Sequence, residues 1–313
     1  MHKYIVKRLL LTIPVLIGAA FLVFTIMSLT PGDPGTLILG MTADKADIAT
    51  LNAEFGYDQP FLIRFINYLK DIVFHFDFGV SYRTRTPVFT EIMSRFPNTF
   101  YLAVSSMILS ALLGVSLGIL SAVMQYSVLD NIFTMLAMFF AAIPGFWLGL
   151  MLMLLFSLKL GWLPSNGVDT WRHFVLPTIT LSMGGAAGLL RLTRSTMLET
   201  IRQDYIRTAR SKGASEKTVI WKHALKNALL PVITSLGMNF GASLGGAIII
   251  EMVFGMPGLG TYIVTSIRQK DVPAVLASTL LLATLFCLIM LAVDIFYAFI
   301  DPRIKAKYAK QGG

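Results

Sequence analysis

Long apolar stretches constrain this chain more than any other feature of its sequence. The first, Leu9–Leu29, contains no charged residue. As a helix it would span roughly 30 Å, the thickness of the hydrocarbon layer of a membrane. Charged residues make up 14% of the chain, against about 25% in soluble domains. The sequence therefore predicts an all-α integral membrane protein with six transmembrane helices, the others at about Thr99–Met124, Ile132–Leu158, Phe174–Leu192, Leu230–Ile250 and Pro273–Ile300.

A cleaved signal peptide is the alternative interpretation of the first stretch. The apolar core of a signal peptide normally has about 7–15 residues and precedes a small-residue cleavage site. The core here is longer and ends in Thr30-Pro31-Gly32-Asp33-Pro34. We therefore expect a first span that is retained.

Residues 30–97 separate the first two predicted spans and are too many for a simple turn. Phe61–Phe74 is predicted to be an amphipathic helix, with one apolar side formed by Leu62, Phe65, Ile66, Leu69, Ile72 and Val73. Pro and Gly beside Asp or Ser predict turns at Thr30–Pro34, Gly56–Pro60 and Asp77–Ser81, which either shape the segment or contact a substrate. We expect three parts: residues 1–90 with the first span and an external segment, a transmembrane core at 91–300, and a basic tail at 301–313.

Basic residues indicate the orientation, since cytoplasmic loops are rich in Lys and Arg. An even number of spans places the N-terminus, the tail and the loop after span four on one side. All three are basic, whereas the turn Gln125–Asn131 on the same side has no basic residue. Both termini are therefore predicted to be cytoplasmic. The basic residues are Lys3, Lys7 and Arg8, then Arg194, Arg202, Arg207, Arg210, Lys212, Lys217, Lys222 and Lys226, then Arg303, Lys305, Lys307 and Lys310.

The longest polar interval in the C-terminal half is Asp204–Pro231. It predicts a short helix from Asp204 to about Lys212, a turn at Gly213, and a second short helix over Ser215–Leu230 with Ser215 as N-cap. Two short helices around a glycine make a compact element that can seat in a partner protein. The alternative is a basic loop lying on anionic lipid.

This interval resembles the cytoplasmic coupling loop, known by its E-A-A signature, of membrane subunits of ABC importers of the peptide and nickel type. The resemblance rests on Tyr-Ile-Arg-Thr-Ala-Arg-Ser-Lys-Gly at Tyr205–Gly213 and His-Ala-Leu-Lys-Asn-Ala at His223–Ala228, followed by Pro231. Arg207 and Thr208 stand where the general signature has Glu and Ala, a departure that the peptide branch shares. The resemblance implies that the ATPase-coupling residues are Asp204, Tyr205, Arg207, Ala209, Lys212, Gly213, Ala214, Ser215, Glu216, His223, Asn227 and Pro231.

The resemblance also implies a type I ABC importer fold and a transport function without enzymatic activity of the chain. It implies four kinds of neighbour: a homologous second permease, two cytoplasmic ATPase subunits, an external substrate-binding protein and the lipid bilayer. ATP and Mg²⁺ would be bound by the ATPases, with no cofactor in this chain. Dipeptides, oligopeptides, glutathione-like peptides and metal chelates all remain open as substrates. With Arg207 at the usual glutamate position, we expect Asp204 to supply the carboxylate that pairs with an ATPase cation.

Two features inside the predicted spans are candidates for the pathway or gate. Gly237, Gly241 and Gly245 are spaced four apart, which lets helices approach closely, and Pro144 interrupts the third span. Packing within one subunit is the alternative for the glycines, and a purely structural kink is the alternative for Pro144. Trp162, Trp171 and Arg268 lie in predicted external loops and are candidates for contact with the binding protein, although Trp162 also suits an interfacial aromatic belt.

Asp294 lies inside the sixth predicted span, where a carboxylate needs a partner or a water path. Arg8 and Arg191 are candidate partners. The alternative function from a different class is an ion-gradient-driven secondary transporter that uses Asp294.

Several chemistries find no support in the sequence. It has no G-x-x-x-x-G-K-[ST] phosphate loop and no H-E-x-x-H or G-x-S-x-G motif. His2, His75, His173 and His223 are far apart, which argues against a metal site, and Cys287 is the single cysteine. The basic residues lie in short segments beside the spans, so a nucleic-acid partner is not expected.

Overall fold

The computed structural model describes residues 2–29, 32–40 and 42–300. The predictions that concern Thr30, Pro31 and the basic tail at 301–313 lie outside these described residues. The described part is built from helices, which are numbered in chain order: α1 His2–Leu29, α2 Pro34–Leu39, α3 Lys45–Glu54, α4 Phe61–Lys70, α5 Val88–Val123, α6 Val128–Ala142, α7 Gly145–Leu152, α8 Arg172–Ile201, α9 Asp204–Ser211, α10 Glu216–Thr218, α11 Leu225–Val253, α12 Leu259–Arg268 and α13 Val272–Ile300.

Five helical segments of the described part are long and apolar enough to cross a membrane. They are Arg8–Leu29, Val88–Val123, Arg172–Ile201, Glu216–Gly245 and Val272–Ile295. A sixth arises if Val128–Ala142 and Gly145–Lys159 are counted as one broken span. The predicted all-α membrane fold with six spans and a segment between the first two is thereby confirmed.

The third predicted span is a broken helix rather than a kinked one. Helix α6 ends at Ala142, Ile143 is extended, and Pro144 is the N-cap of α7, so that the two halves meet at an angle of 100°. The physical reason is that proline lacks an N–H and forces the residue before it out of the helical region. A π-helical turn, Met153–Lys159, extends α7.

The predicted second short helix, Ser215–Leu230, is not separate from the fifth span. Helix α10 continues through a π-helical turn at Val219–Ala224 into α11, so a single helical run extends from Glu216 to Val253. Pro231 lies inside it. Proline is tolerated inside membrane helices. The carbonyl group that loses its N–H partner can accept hydrogen bonds from neighbouring groups, or the helix adjusts locally.

The chain forms two compact units, to which α5 and α13 both contribute. Of the described residues, the first unit contains 100–256 and 288–300 together with 2–6. Within it, α8 packs against α5, α6, α7 and α11. A Cβ atom on Gly114 or Gly118 of α5 would lie 2.7 and 2.8 Å from carbonyl oxygens of Ala186 and Leu190 on α8, so only glycine permits this approach.

The second unit contains the described residues of 7–99 and residues 257–287. Its core joins α1, α4 and the start of α13 through Ala20, Phe24, Met27, Phe65, Val272, Val275 and Leu276. Helix α4 is amphipathic as predicted, and Phe65 and Leu69 of the predicted side are packed together with Phe61 and Tyr68. Leu62 and Ile66 of that side, and Val73 beyond the end of α4, are exposed. Apolarity alone could not separate these sides, because lipid and protein neighbours both favour apolar residues.

Three polar contacts shape the second unit. Asp33 caps α2 by accepting hydrogen bonds from Thr36 N at 2.8 Å and from Asn52 Nδ2 at 2.7 Å. The buried Asp271 carboxylate accepts hydrogen bonds from Ser81 Oγ and from Tyr82 N. Thr99 Oγ1 accepts a 2.8 Å hydrogen bond from Leu259 N at the start of α12, a helix that the sequence did not predict.

Candidate coupling site

The turn between α9 and α10 has the geometry that the sequence predicts. Gly213 has φ of +83°, a conformation that only glycine adopts without steric cost. Its N–H donates to Arg210 O at 2.9 Å, and Ala214 N donates to Ala209 O at 3.2 Å. Ser215 caps α10 by accepting a hydrogen bond from Thr218 N. We call residues 204–228 the coupling segment.

Two side-chain contacts join the arms of the coupling segment on either side of the turn. Arg210 Nε and Nη2 donate to the Glu216 carboxylate at 2.7 and 3.2 Å. Asn227 Nδ2 donates to the Tyr205 hydroxyl at 2.8 Å. The hydrogen bond to Glu216 raises the pKa of the Arg210 guanidinium, so the pair stays ionised. These two contacts hold both arms in one arrangement.

The coupling segment is anchored to the long helices by a buried apolar cluster. Ile206 is the buried residue of α9 and has no exposed surface. It packs with Met197 of α8 and Ile119 of α5, and the rest of the cluster is Ala122, Val219, Ala224 and Ala228, with Ala209 and Ala214 partly buried against it. The inner side of α9 is therefore packed against residues near the C-terminal ends of α5 and α8.

The other side of the coupling segment is exposed and rich in cations and aromatics. Asp204 and Arg207 are three residues apart, and Asp204 Oδ1 lies 3.8 Å from Arg207 Nη1. Tyr205 and Trp221 are 44% and 57% exposed. The remaining predicted coupling residues on this side are Lys212, Ser215, Glu216, Asn227 and Pro231, which are exposed, and His223, which is half-buried.

An ion pair beside the coupling segment was not predicted from the sequence. Asp130, 2% exposed, accepts hydrogen bonds from Arg194 Nε and Nη2 at 2.7 and 2.8 Å. It also accepts from Ser121 Oγ and Tyr126 N. The pair joins α8 to the first turn of α6, and the hydrogen bond from Tyr126 N ties in the turn between α5 and α6, which has no basic residue of its own. A sequence signal existed, since Asp130 is the single charged residue between Arg95 and Lys159.

The pathway candidates do not form one site. Gly237 is packed so closely that a Cβ atom would lie 2.0 Å from Val293 Cγ2, and Gly241 is buried, whereas Gly245 faces open space. Pro144 lines a cavity of about 400 Å³ at the break between α6 and α7, together with Gly184 of α8 and Ile249 of α11. The structure thus brings Pro144 close to the end of α11 and away from Gly237.

The other predicted residues are dispersed. Trp162 and Trp171 are 64% and 73% exposed, and Arg268 is also exposed. Asp294 is half-buried, and Arg191 is exposed. In the described ranges no group of three or more His, Cys, Asp or Glu residues could hold a metal ion.

Comparisons with known proteins agree with this geometry. Residues 114–306 match the family model described as "Binding-protein-dependent transport system inner membrane component", and residues 1–103 match the model of the N-terminal part of such membrane components. The glutathione transport system permease protein GsiC of Salmonella typhi is 44% identical over 98% of this chain and 100% of its own length. The protein of that name from Escherichia coli (strain K12) is 42% identical over the same shares.

Solved structures show a related fold at lower identity. A chain of the MetNI methionine ABC transporter in an inward-facing crystal form superposes with a TM-score of 0.57 at 19% identity. The match covers 67% of this chain and 96% of that chain. At this identity the likeness concerns the type I importer fold alone.

Proposed function

This chain belongs to the family of binding-protein-dependent transport system inner membrane components and is an ABC importer permease subunit, and from that premise we propose that it imports short peptides delivered by an external binding protein. Two relatives are named for the transport of glutathione, which is a tripeptide. They support a small peptide with free carboxylates as the cargo. The proposed orientation has both termini in the cytoplasm of a bacterial cell. Selection among short peptides would then lie largely with the binding protein.

The proposed partners are a homologous second permease and two ATPase subunits that bind ATP and Mg²⁺. One observation carries this proposal: the coupling segment has a fully buried inner side and an exposed outer side. Exposed aromatics among cations are typical of protein interfaces, where Tyr, Trp and Arg contribute most of the binding energy. A loop that only rests on lipid has no need of the Arg210–Glu216 and Tyr205–Asn227 contacts.

The mechanism that we infer is a lever action of the coupling segment. Closure of the ATPases on ATP would displace α9, and the buried Ile206 would carry the displacement to Met197 on α8 and Ile119 on α5. The Asp130–Arg194 pair would pass it on to α6 and the break at Pro144. Packed elements move between discrete arrangements rather than deforming continuously, so the spans would switch between two orientations.

The exposed Asp204 carboxylate is the proposed partner for an ATPase cation. Replacing Asp204 with Asn removes the charge and keeps the shape. We expect transport-coupled ATP hydrolysis to fall about tenfold or more, since hydrogen bonds to charged groups contribute about 1.5–3 kcal/mol. Unchanged coupling would remove this role from Asp204 without affecting the role of the segment.

Uptake in proteoliposomes tests the function. The purified complex, with its binding protein outside and ATP inside, is given labelled glutathione and a labelled dipeptide. We expect uptake that requires ATP and persists when the proton gradient is collapsed, and that survives Asp294→Asn. Uptake without ATP that collapses with the gradient, and is abolished by Asp294→Asn, would instead establish the ion-driven alternative.

A further inference from the structure

A cavity of about 410 Å³ lies in the second unit, away from the coupling segment in the sequence. Phe24 of α1, Arg64 and Tyr68 of α4, Tyr82 and the start of α13 at Pro273 contribute to its wall. Its volume is within the range of small-molecule sites, roughly 300–1,000 Å³. Such sites combine apolar walls with a few polar groups that orient the ligand, and this cavity has both.

Arg64 is the cation of the cavity. Its guanidinium carbon lies 3.7 Å from the centroid of the Tyr57 ring and 5.5 Å from that of Phe24. Among the described residues no carboxylate forms an ion pair with it. A guanidinium that stacks on a ring keeps the N–H donors of its edge available, and their planar fork matches a carboxylate. Arg64 is therefore held in place by its contacts with two aromatic rings, and no residue of the described part of the chain accepts a hydrogen bond from its guanidinium.

Tyr68 supplies a second unused donor. Its hydroxyl is buried and has no hydrogen-bond partner among the described residues. Burial raises the pKa of the Tyr68 hydroxyl, so that group stays protonated and able to donate. A buried polar group without a partner is unfavourable, so an acceptor brought to the Tyr68 hydroxyl by a bound ligand would stabilise the complex. Arg64 and Tyr68 are one helical turn apart on α4, and both residues contribute to the cavity wall.

Acidic residues also line the cavity. Glu54, at the end of α3, and Asp71, just after α4, both contribute to its wall and are exposed. Asp71 lies 3.6 Å from the exposed His75 ring. Carboxylates on the wall of a cavity that also holds a guanidinium repel a simple anion but suit a ligand with both charges. The cavity thus complements a zwitterion.

We propose that this cavity binds a free amino acid or short peptide, with its carboxylate on Arg64 and Tyr68 and its ammonium group toward Glu54 and Asp71. The site goes beyond the proposed function, because it lies outside the coupling segment and requires neither ATP nor a binding protein. Its ligand class is the one that the permease would transport. A site here would hold cargo at the end of α1 opposite the N-terminus.

The test is binding of labelled L-alanyl-L-alanine to the full chain in lipid nanodiscs without ATPases or binding protein. We expect saturable binding that Arg64→Gln weakens at least tenfold and Tyr68→Phe weakens several-fold. The C-terminal amide of the same dipeptide should bind at least tenfold more weakly, since it lacks the carboxylate. The matched control is Arg85→Gln, because Arg85 also lies over a ring, 5.1 Å from the Phe55 centroid, but does not line the cavity.

Thermal unfolding of each variant separates loss of the ligand contact from loss of the fold. Arg64→Lys keeps the charge but loses the fork and should bind with intermediate affinity. Equal binding by the wild-type chain and Arg64→Gln, equal binding of the amide, or no saturable binding of the dipeptide at millimolar concentration would each overturn the proposal. ATP-driven uptake by the assembled complex is measured separately from dipeptide binding by the single chain. A result that contradicts the proposed binding site is therefore distinguishable from one that contradicts the proposed transport function.

Discussion

The Arg194 guanidinium donates two hydrogen bonds to the Asp130 carboxylate, which is almost fully buried where α6 begins. The same carboxylate accepts from Ser121 Oγ and Tyr126 N, so α5, the turn after it, α6 and α8 meet at one group. Arg194 lies on α8 one turn before Met197, which packs against Ile206 of the coupling segment. The pair therefore connects the coupling segment to the broken helix α6–α7.

The first prediction concerns this pair. Asp130→Asn leaves the Arg194 charge without its partner, and breaking a buried pair costs roughly 3–5 kcal/mol. We expect a smaller loss here, about 2–3 kcal/mol, because the Arg194 side chain is 26% exposed. The measurement is thermal or denaturant unfolding of the purified chain.

The matched control is Glu216→Gln, which breaks the bidentate pair with Arg210. That pair has the same geometry but is exposed to water, so we expect little change in stability. Equal losses for Asp130→Asn and Glu216→Gln would show that burial of Asp130 does not matter for its contribution.

The second prediction concerns the buried anchor of the coupling segment. Ile206→Ala leaves a cavity among Met197, Ile119 and Val219 and should cost about 2–5 kcal/mol locally, whereas Ile206→Val should cost about 0.5–1.5 kcal/mol. A loosened α9 transmits less displacement, so ATP hydrolysis in the complex should continue while uptake falls. The ratio of uptake to hydrolysis measures this, and an unchanged ratio in Ile206→Ala would contradict the lever.

The third prediction compares two glycines of α11. Gly237→Ala places a methyl group against Val293 and should destabilise the chain by about 1–3 kcal/mol, the usual cost of overpacking. Gly245→Ala is the control, because nothing lies within 4 Å of its Cβ position. The double variant Gly237→Ala/Val293→Ala should recover much of the loss, and unfolding midpoints that show no recovery would place the strain elsewhere.

The fourth prediction concerns the Gly213 turn. Nothing lies within 4 Å of a Cβ atom at this position, so Gly213→Ala tests the positive φ alone. The left-handed conformation costs an L-residue roughly 1–2 kcal/mol. Faster hydrogen exchange confined to α9 and α10 should follow, and unchanged exchange there would mean that the turn tolerates side chains.

The fifth prediction is a pH dependence of the segment after α1. Burial alone would raise the pKa of Asp33, but hydrogen bonds from Thr36 and Asn52 outweigh it, so the pKa is lowered from its usual 3.8. A carboxyl group whose pKa is lower in the folded chain than in the unfolded chain stabilises the fold at pH values above its unfolded-state pKa. This stabilisation is lost as the pH falls through the folded-state pKa. Hydrogen exchange of Pro34–Leu39, corrected for intrinsic rates, should therefore rise relative to that of α8 below about pH 4. In Asp33→Asn this dependence should disappear.

The elements that the sequence predicts well are those with a local physical cause. The uncharged first span, the positive φ at Gly213 and the Ser215 cap all depend on residues within a few positions of one another. The Asp130–Arg194 pair joins residues far apart in the chain, so no local pattern reveals its partner, although the isolation of Asp130 among apolar residues indicates that it needs one.

Two of the sequence-based predictions were partly wrong, and in both cases the reason is that part of the chain lies in a membrane. The packed side of α4 was predicted only in part, because Leu62 and Phe65 are both apolar and the pattern does not separate an exposed apolar residue from one packed against protein. The run from Glu216 to Val253 was divided because polar residues before Leu230 suggest a loop in water, whereas the helix simply continues past the apolar part. The complete break of the helix at Pro144 was not predicted, because the apolar residues on both sides of it are typical of one continuous span.

The most direct test is cross-linking of the coupling segment in the purified complex. Cys287 is the single cysteine, so Cys287→Ser provides a background for Arg207→Cys on the exposed side of α9, with Trp171→Cys beside the opposite end of α8 as control. We predict that the cysteine at position 207 cross-links to an ATPase subunit with a yield that changes on adding ATP, and that the one at 171 does not. Cross-linking to the ATPase from position 171, or none from 207 in an active complex, would contradict the account.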